Sequence, residues 1–157
     1  LVIATSERFP DPVSRGKVYP RSIRTTAGMV FYDEDGVETG GLATMTGPNG
    51  ARMAGTIFDY NHQPTDGIGL MKTESADGKS WMAGLTIADR LPYAPGGIST
   101  SEGVSRIVLA NRNQEASLVI ADTTGRTRIR IGVDANDVPK LEILDADGTV
   151  VGSLPQR

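Results

Sequence analysis

An internal repeat constrains this chain more than any other feature. Three segments open alike: Ala27-Gly28-Met29-Val30-Phe31-Tyr32-Asp33, Ala54-Gly55-Thr56-Ile57-Phe58-Asp59-Tyr60 and Ala83-Gly84-Leu85-Thr86-Ile87-Ala88-Asp89. Two more keep the pattern with the Ala-Gly start degraded, Ala116-Ser117-Leu118-Val119-Ile120-Ala121-Asp122 and Pro139-Lys140-Leu141-Glu142-Ile143-Leu144-Asp145. Each is followed by a turn and a second apolar position, Leu42, Leu70, Ile98, Ile131 or Leu154, lying 15, 16, 15, 15 and 15 residues on. A fixed offset that recurs in this way marks a repeated supersecondary unit. Units thus start near residues 27, 54, 83, 116 and 139 of a single domain spanning 1–157. Residues 1–5, Leu1-Val2-Ile3-Ala4-Thr5, read as the remnant of a further unit, and Ile107 to Asn111 as an additional strand of similar texture. The stretch Val104 to Thr124, broken by Asn111-Arg112-Asn113, reads as a hairpin.

Each unit is expected to be one β-hairpin. The first strand alternates: in the fourth unit Leu118, Ile120 and Asp122 point one way, Val119 and Ala121 the other. The strand-end Asp with Gly three residues on, as in Asp33/Gly36, Asp122/Gly125 and Asp145/Gly148, is turn chemistry. The carboxylate accepts backbone N–H groups and Gly takes the positive-φ position. The Ala-Gly pairs let another backbone approach closely. A lone hairpin cannot bury its apolar face, so the units must pack together. The expected fold is all-β, with five to six antiparallel hairpin repeats closed as a barrel, a trefoil-like arrangement or a small propeller-like ring, which also hides the edge strands. Unequal spacing between units (27, 29, 33 and 23 residues) disfavours a stacked solenoid.

Composition narrows the function classes. The 157 residues include no Cys and one His, so disulfides, thiolate metal sites, cysteine nucleophiles and a two-histidine metal site are excluded within one chain. No metal site and no cofactor is expected. A net charge of −3 argues against general nucleic-acid binding, which needs a basic field. No apolar run approaches the ~20 residues of a membrane span. Residues 1–30 hold five basic and two acidic side chains, residues 31–66 one basic and six acidic, the one charge asymmetry of note.

Candidate chemistry gathers where the repeat breaks. In the second unit Tyr60 occupies the Asp slot, the acid moves to Asp59, and the loop to Gly67 gains a residue and carries the sole histidine, His62. His62 as general acid/base, oriented by Asp59 or Asp66, is one reading. A polar hairpin loop with a surface histidine is the other. Glu38 precedes Gly40-Gly41, which would admit a ligand, and joins Asp59, His62 and Asp66 as a catalytic candidate for cofactor-free hydrolysis or isomerisation. Asp33-Glu34-Asp35-Gly36 has dense oxygen ligands but lacks the full calcium-loop pattern. Arg126, Arg128 and Arg130 alternate with Thr127, Ile129 and Ile131, either as an anion-binding ladder or as partners of Glu142 and nearby acids. Tyr60, with Tyr19 and Tyr93, is a candidate to line a groove, and Trp81 reads as a packing residue.

The stretches Glu7-Arg8-Phe9-Pro10, Gly16-Lys17-Val18-Tyr19-Pro20 and Ala27 to Leu42, followed by Ala83-Gly84-Leu85 and Asp89-Arg90, carry a resemblance over most of the chain. It resembles an uncharacterised group of bacterial β-repeat proteins, which carry a hydrophobic N-terminal segment before the repeated domain. The resemblance implies no reaction and no catalytic residue. It does imply an export signal or anchor upstream, hence an extracytoplasmic (periplasmic or secreted) setting. The function expected first is a non-catalytic binding or self-assembly module, with strand 1–5 pairing to the edge of another chain. The alternative is an acid/base enzyme built around the irregular 59–66 loop, its small-molecule ligand unknown.

Overall fold

The computed structural model describes residues 2–5, 8, 10, 11, 13, 14, 17, 18, 20, 24–47, 49–60, 65–92 and 103–155. They contain thirteen strands: β1 (Val2–Thr5), β2 (Val13–Ser14), β3 (Lys17–Val18), β4 (Arg24–Tyr32), β5 (Glu38–Thr46), β6 (Arg52–Asp59), β7 (Asp66–Glu74), β8 (Trp81–Ala88), β9 (Ser105–Arg112), β10 (Glu115–Ala121), β11 (Thr127–Val133), β12 (Pro139–Leu144) and β13 (Val150–Leu154). Eleven form one antiparallel sheet in the order β1-β4-β5-β6-β7-β8-β9-β10-β11-β12-β13, and β2 and β3 pair separately. The all-β hairpin expectation is met.

Closure is not. β1 and β13 are the two edges of an open sheet, so the barrel, the trefoil-like arrangement and the propeller-like ring give way to a single meander. The register shows why. A barrel requires strands that tilt and shift progressively. Here one row of mutually opposite residues crosses the middle of most strands: Ile3, Met29, Leu42, Thr56, Leu70, Leu85, Leu109, Leu118, Ile131, Leu141 and Leu154. The strands sit side by side with no accumulated stagger to join the ends.

The same row corrects the third unit. Its return strand is β9, with Leu109 opposite Leu85, and not a segment around Ile98, which lies outside the described residues. The strand expected as an extra is therefore the missing half of that unit. β1 fills the place of a return strand preceding β4, with Ile3 opposite Met29. Strand β1 thus uses one of its two edges within the chain.

Three local devices recur from unit to unit. The first is the glycine of the Ala-Gly start. A Cβ on Gly55 would lie 2.5 Å from the Leu70 carbonyl oxygen, one on Gly84 2.6 Å from that of Leu109, and one on Gly28 would collide with that of Leu42. The close backbone approach expected there is real, and it is always to the return strand of the same unit. The second is the Asp turn. Asp33, Asp122, Asp134 and Asp145 each accept, through Oδ1, the amides two and four residues on, at 2.9–3.1 Å. Gly36, Gly125 and Gly148 supply φ of 73°, 85° and 83°.

The third device is a β-bulge at the turn end of every unit. Register shifts follow Phe31, Phe58, Ile87, Ile120 and Ile143, leaving Thr39, Gly67, Arg106, Arg128 and Val151 as the extra residues on the return strands. A bulge bends its strand and disturbs the hydrogen-bond ladder, so freed carbonyls need other donors. Arg106 Nε donates to the Ala121 carbonyl and Arg128 Nε to that of Leu144, both at 2.9 Å. Ala88, Ala121 and Leu144, the bulge-facing residues, are three of the four buried apolar residues among those described, with Val30 the fourth.

Candidate functional site

The irregular second unit is explained first by its bulge. The extra residue there is Gly67 and not an arginine. A Cβ on Gly67 would meet the Tyr60 ring at 3.1 Å, so the ring lies over the glycine. From there the Tyr60 hydroxyl donates to the Ala88 carbonyl at 3.0 Å. This is the bond that Arg106 and Arg128 make to the equivalent carbonyls one and two units on. Tyr60 therefore clasps one unit to the next through its hydroxyl, a role the sequence did not suggest.

Glu38, Asp59 and Asp66 all border one depression, whose floor is made by Val30, Gly40, Gly41, Gly55, Ile57 and Met71. Asp59 and Asp66 are register partners at the bulge, and β5 lies beside β6, which places Glu38 near them. Three of the four proposed acid/base residues are thus brought together. His62 lies outside the described residues. Among the described residues no group of three or more His, Cys, Asp or Glu side chains could hold a metal ion.

The arginines do not form a free ladder. The bulge at Arg128 interrupts the alternation, and Arg126 lies in the turn before β11. Arg126 Nε bonds Asp122 Oδ2 at 3.1 Å, with Arg128 Nη1 3.8 Å from the same oxygen. Arg130 lies opposite Glu142 and bonds its Oε2 at 3.0 Å. The cross-strand reading with Glu142 is the one the geometry carries. Upstream, Arg106 Nη1 bonds Asp89 Oδ2 at 2.8 Å.

Asp122 is the most heavily bonded turn acid. The Thr124 hydroxyl, at 2.7 Å, is the main cause holding its carboxyl far below the ordinary range, reinforced by the Thr124 and Arg126 amides and the Arg126 guanidinium. Asp134 is lowered chiefly by the Val138 and Asn136 amides, with Lys140 adding to them. Asp77 is lowered by the Ser75 hydroxyl and the Lys79 amide. These acids are occupied in shaping turns, which leaves them poor candidates for catalysis or calcium binding.

The surface that stands out was not singled out from the sequence. The row from Ile3 to Leu154 lies on one face of the sheet, because residues directly opposite across a ladder share a face. A second row runs beside it: Phe31, Gly40, Phe58, Ile68, Ile87, Ile107, Ile120, Ile129, Ile143 and Gly152. The two rows contain no charge. Thr56, the lone hydroxyl, donates to the Gly41 carbonyl at 2.9 Å and so presents its methyl as well. Phe31 and Phe58 stack with centroids 6.2 Å apart across the small Gly40. Yet Leu42, Leu70, Leu109, Ile131 and Leu154 are 51, 56, 53, 41 and 59% exposed. Among the described residues the strands make extensive contact only with their sheet neighbours, so no second layer packs on this face. The clue in the sequence was the Leu or Ile recurring 15 or 16 residues into four of the five units, Leu42, Leu70, Ile131 and Leu154, but its place on one uninterrupted face, and the third unit's Leu109, needed the register.

Comparison of the chain with known protein families, with curated proteins and with solved structures finds no match. Among the described residues no helix is long and apolar enough to cross a membrane.

Proposed function

We propose that this chain is a non-catalytic β-repeat module that acts by presenting its apolar face to another protein surface. One observation carries the reading: two uncharged rows cross the sheet with many of their large side chains about half exposed, and among the described residues no second layer packs upon them. Contiguous apolar surface on this scale marks an interaction site in a soluble protein. The extracytoplasmic bacterial setting that the resemblance implies belongs to the same proposal. The test is a charged variant, Leu70→Lys/Leu109→Lys, studied beside the wild type in dilute solution with a fluorescent dye that reports exposed apolar surface. The wild type is expected to bind the dye, and the variant to keep its far-UV β signal while losing most of the binding. A wild type that stays dye-silent on dilution overturns the reading.

A second reading, a cofactor-free acid/base enzyme, is favoured by the convergence of Glu38, Asp59 and Asp66 on one glycine-floored depression. Its test is a panel of ester and glycoside hydrolysis assays on the wild type and on Asp59→Asn. Turnover that Asp59→Asn abolishes supports it, and no turnover above that of the variant removes it.

A further inference from the structure

We infer that the occupant of the apolar face is a second copy of this chain, packed sheet to sheet; this rests on the proposed function above. The shape of the face points there. From β5 onward the prominent residues of the first row fall on alternate strands: Leu42 on β5, Leu70 on β7, Leu109 on β9, Ile131 on β11 and Leu154 on β13 are exposed, whereas at the β1 edge Ile3 and Met29 are exposed on neighbouring strands. Between them Thr56, Leu85, Leu118 and Leu141, on β6, β8, β10 and β12, are less exposed. With ~4.8 Å between strands the first-row projections from β5 onward recur about every 9.6 Å with a hollow between them, and in the second row Phe58 on β6 and Ile143 on β12 project beside two of those hollows. A surface that fills those hollows needs projections with the same spacing. Another copy, displaced by one strand, supplies them.

Twist makes the same selection. Each step in an antiparallel sheet adds roughly −20 to −25° of twist, so ten steps carry the face through more than half a turn. An unrelated flat or globular partner would meet only a few strands. A second copy has the same hand and degree of twist, so the two faces stay together across their width, as in an aligned sandwich.

Charge and area agree. Neither row carries a charged side chain, so an acidic or basic partner gains nothing from them. Ten strand steps and two rows, each ~7 Å deep, span roughly 700 Å², so a pair of copies covers roughly 1,400 Å², within the range of stable protein interfaces. Burying that face also provides the two-layer core that a single sheet lacks.

The absence of native cysteine allows a direct test. Leu109 and Val108 are consecutive residues on opposite faces of β9. Single variants Leu109→Cys and Val108→Cys, each shown folded by far-UV circular dichroism, are assayed for thiol modification across a concentration series. Size-exclusion chromatography with light scattering gives the mass. A second copy on the apolar face makes the protein oligomeric and slows modification of the Leu109→Cys variant more than about tenfold on concentration, while the Val108→Cys variant reacts at a constant rate. Leu70→Lys in the Leu109→Cys background is expected to return the protein to monomer and the thiol to its fast rate. A monomeric Leu109→Cys variant that reacts fast at every concentration overturns the second copy and leaves a different partner to the proposed function. A monomeric Leu109→Cys variant that reacts slowly at every concentration means that the chain covers its own face, and both fall. An oligomer in which only the Val108→Cys variant slows places the contact on the other face and overturns the inference.

Discussion

At the scale of single residues, the repeat is held by groups whose chemistry leaves little choice. Gly84 faces the Leu109 carbonyl at a distance no Cβ tolerates, and relief would have to come from backbone. Gly84→Ala is therefore expected to cost about 1–3 kcal/mol, as overpacking generally does, readable as a lower urea midpoint. The turn acids set the acid limb. Asp122 and Asp134 titrate below their unfolded value near 3.9, so the stability they contribute is complete above about pH 4. It is lost as pH falls through their folded values. Melting temperature should drop as the solution is acidified from pH 4 toward pH 2, and the double variant Asp122→Asn/Asp134→Asn should show a shallower fall over that window. An unchanged slope would mean that these turns do not discriminate between charged and neutral side chains.

At the scale of elements, bulge and clasp are one device. The bulge frees a carbonyl on the first strand of a unit, and a donor from the preceding strand or loop recovers it: Tyr60 to Ala88, Arg106 to Ala121, Arg128 to Leu144. Tyr60→Phe keeps the ring over Gly67 and removes only the donor. It is expected to destabilise by about 1 kcal/mol, the usual cost of a lost hydrogen bond, measured by chemical denaturation. A variant as stable as wild type would show that water replaces the hydroxyl. Much of this level was legible beforehand. The hairpin of 104–124 formed as expected, although its turn is Asn113-Gln114, with φ of 49° and 75°, and not Asn111-Arg112-Asn113. The two-residue turn with both φ values positive matches strand twist, and Asn113 Oδ1 accepts the Trp81 amide at 2.8 Å, tying the corner to β8. The departure of unit two looked like a catalytic loop because hydroxyl and acid residues replaced the pattern there. A sequence displays the substitution of Tyr60 for the Asp slot, but not that its hydroxyl reaches a carbonyl 28 residues away.

At the scale of the whole molecule, a meander of this width, with an apolar face on which no other described strand packs, is in the proposal above half of a two-layer architecture. Sheets rarely exceed about ten strands without curling or pairing with another layer, and here every described strand touches mainly its sheet neighbours. Stability is then expected to be linked to association: the melting temperature of the wild type should rise with protein concentration. In Leu70→Lys/Leu109→Lys it should not. A midpoint that is constant over two or three decades of concentration in the wild type would show that the sheet stands alone.

The order of residues determined what is local. Alternation chose strands, the Asp-to-Gly spacing chose turns, the Ala-Gly pairs announced tight hairpins, and the missing cysteines and single histidine removed most catalytic vocabulary. Only the tertiary structure decided how the units join. Whether a chain of hairpins closes depends on stagger summed over all the strands, and each unit contributes a quantity too small to read from its own letters. Register shifts at five bulges and the true return strand of unit three made that sum. They left the sheet open, with its leucines aligned on one face and nothing from the neighbouring strands to cover them.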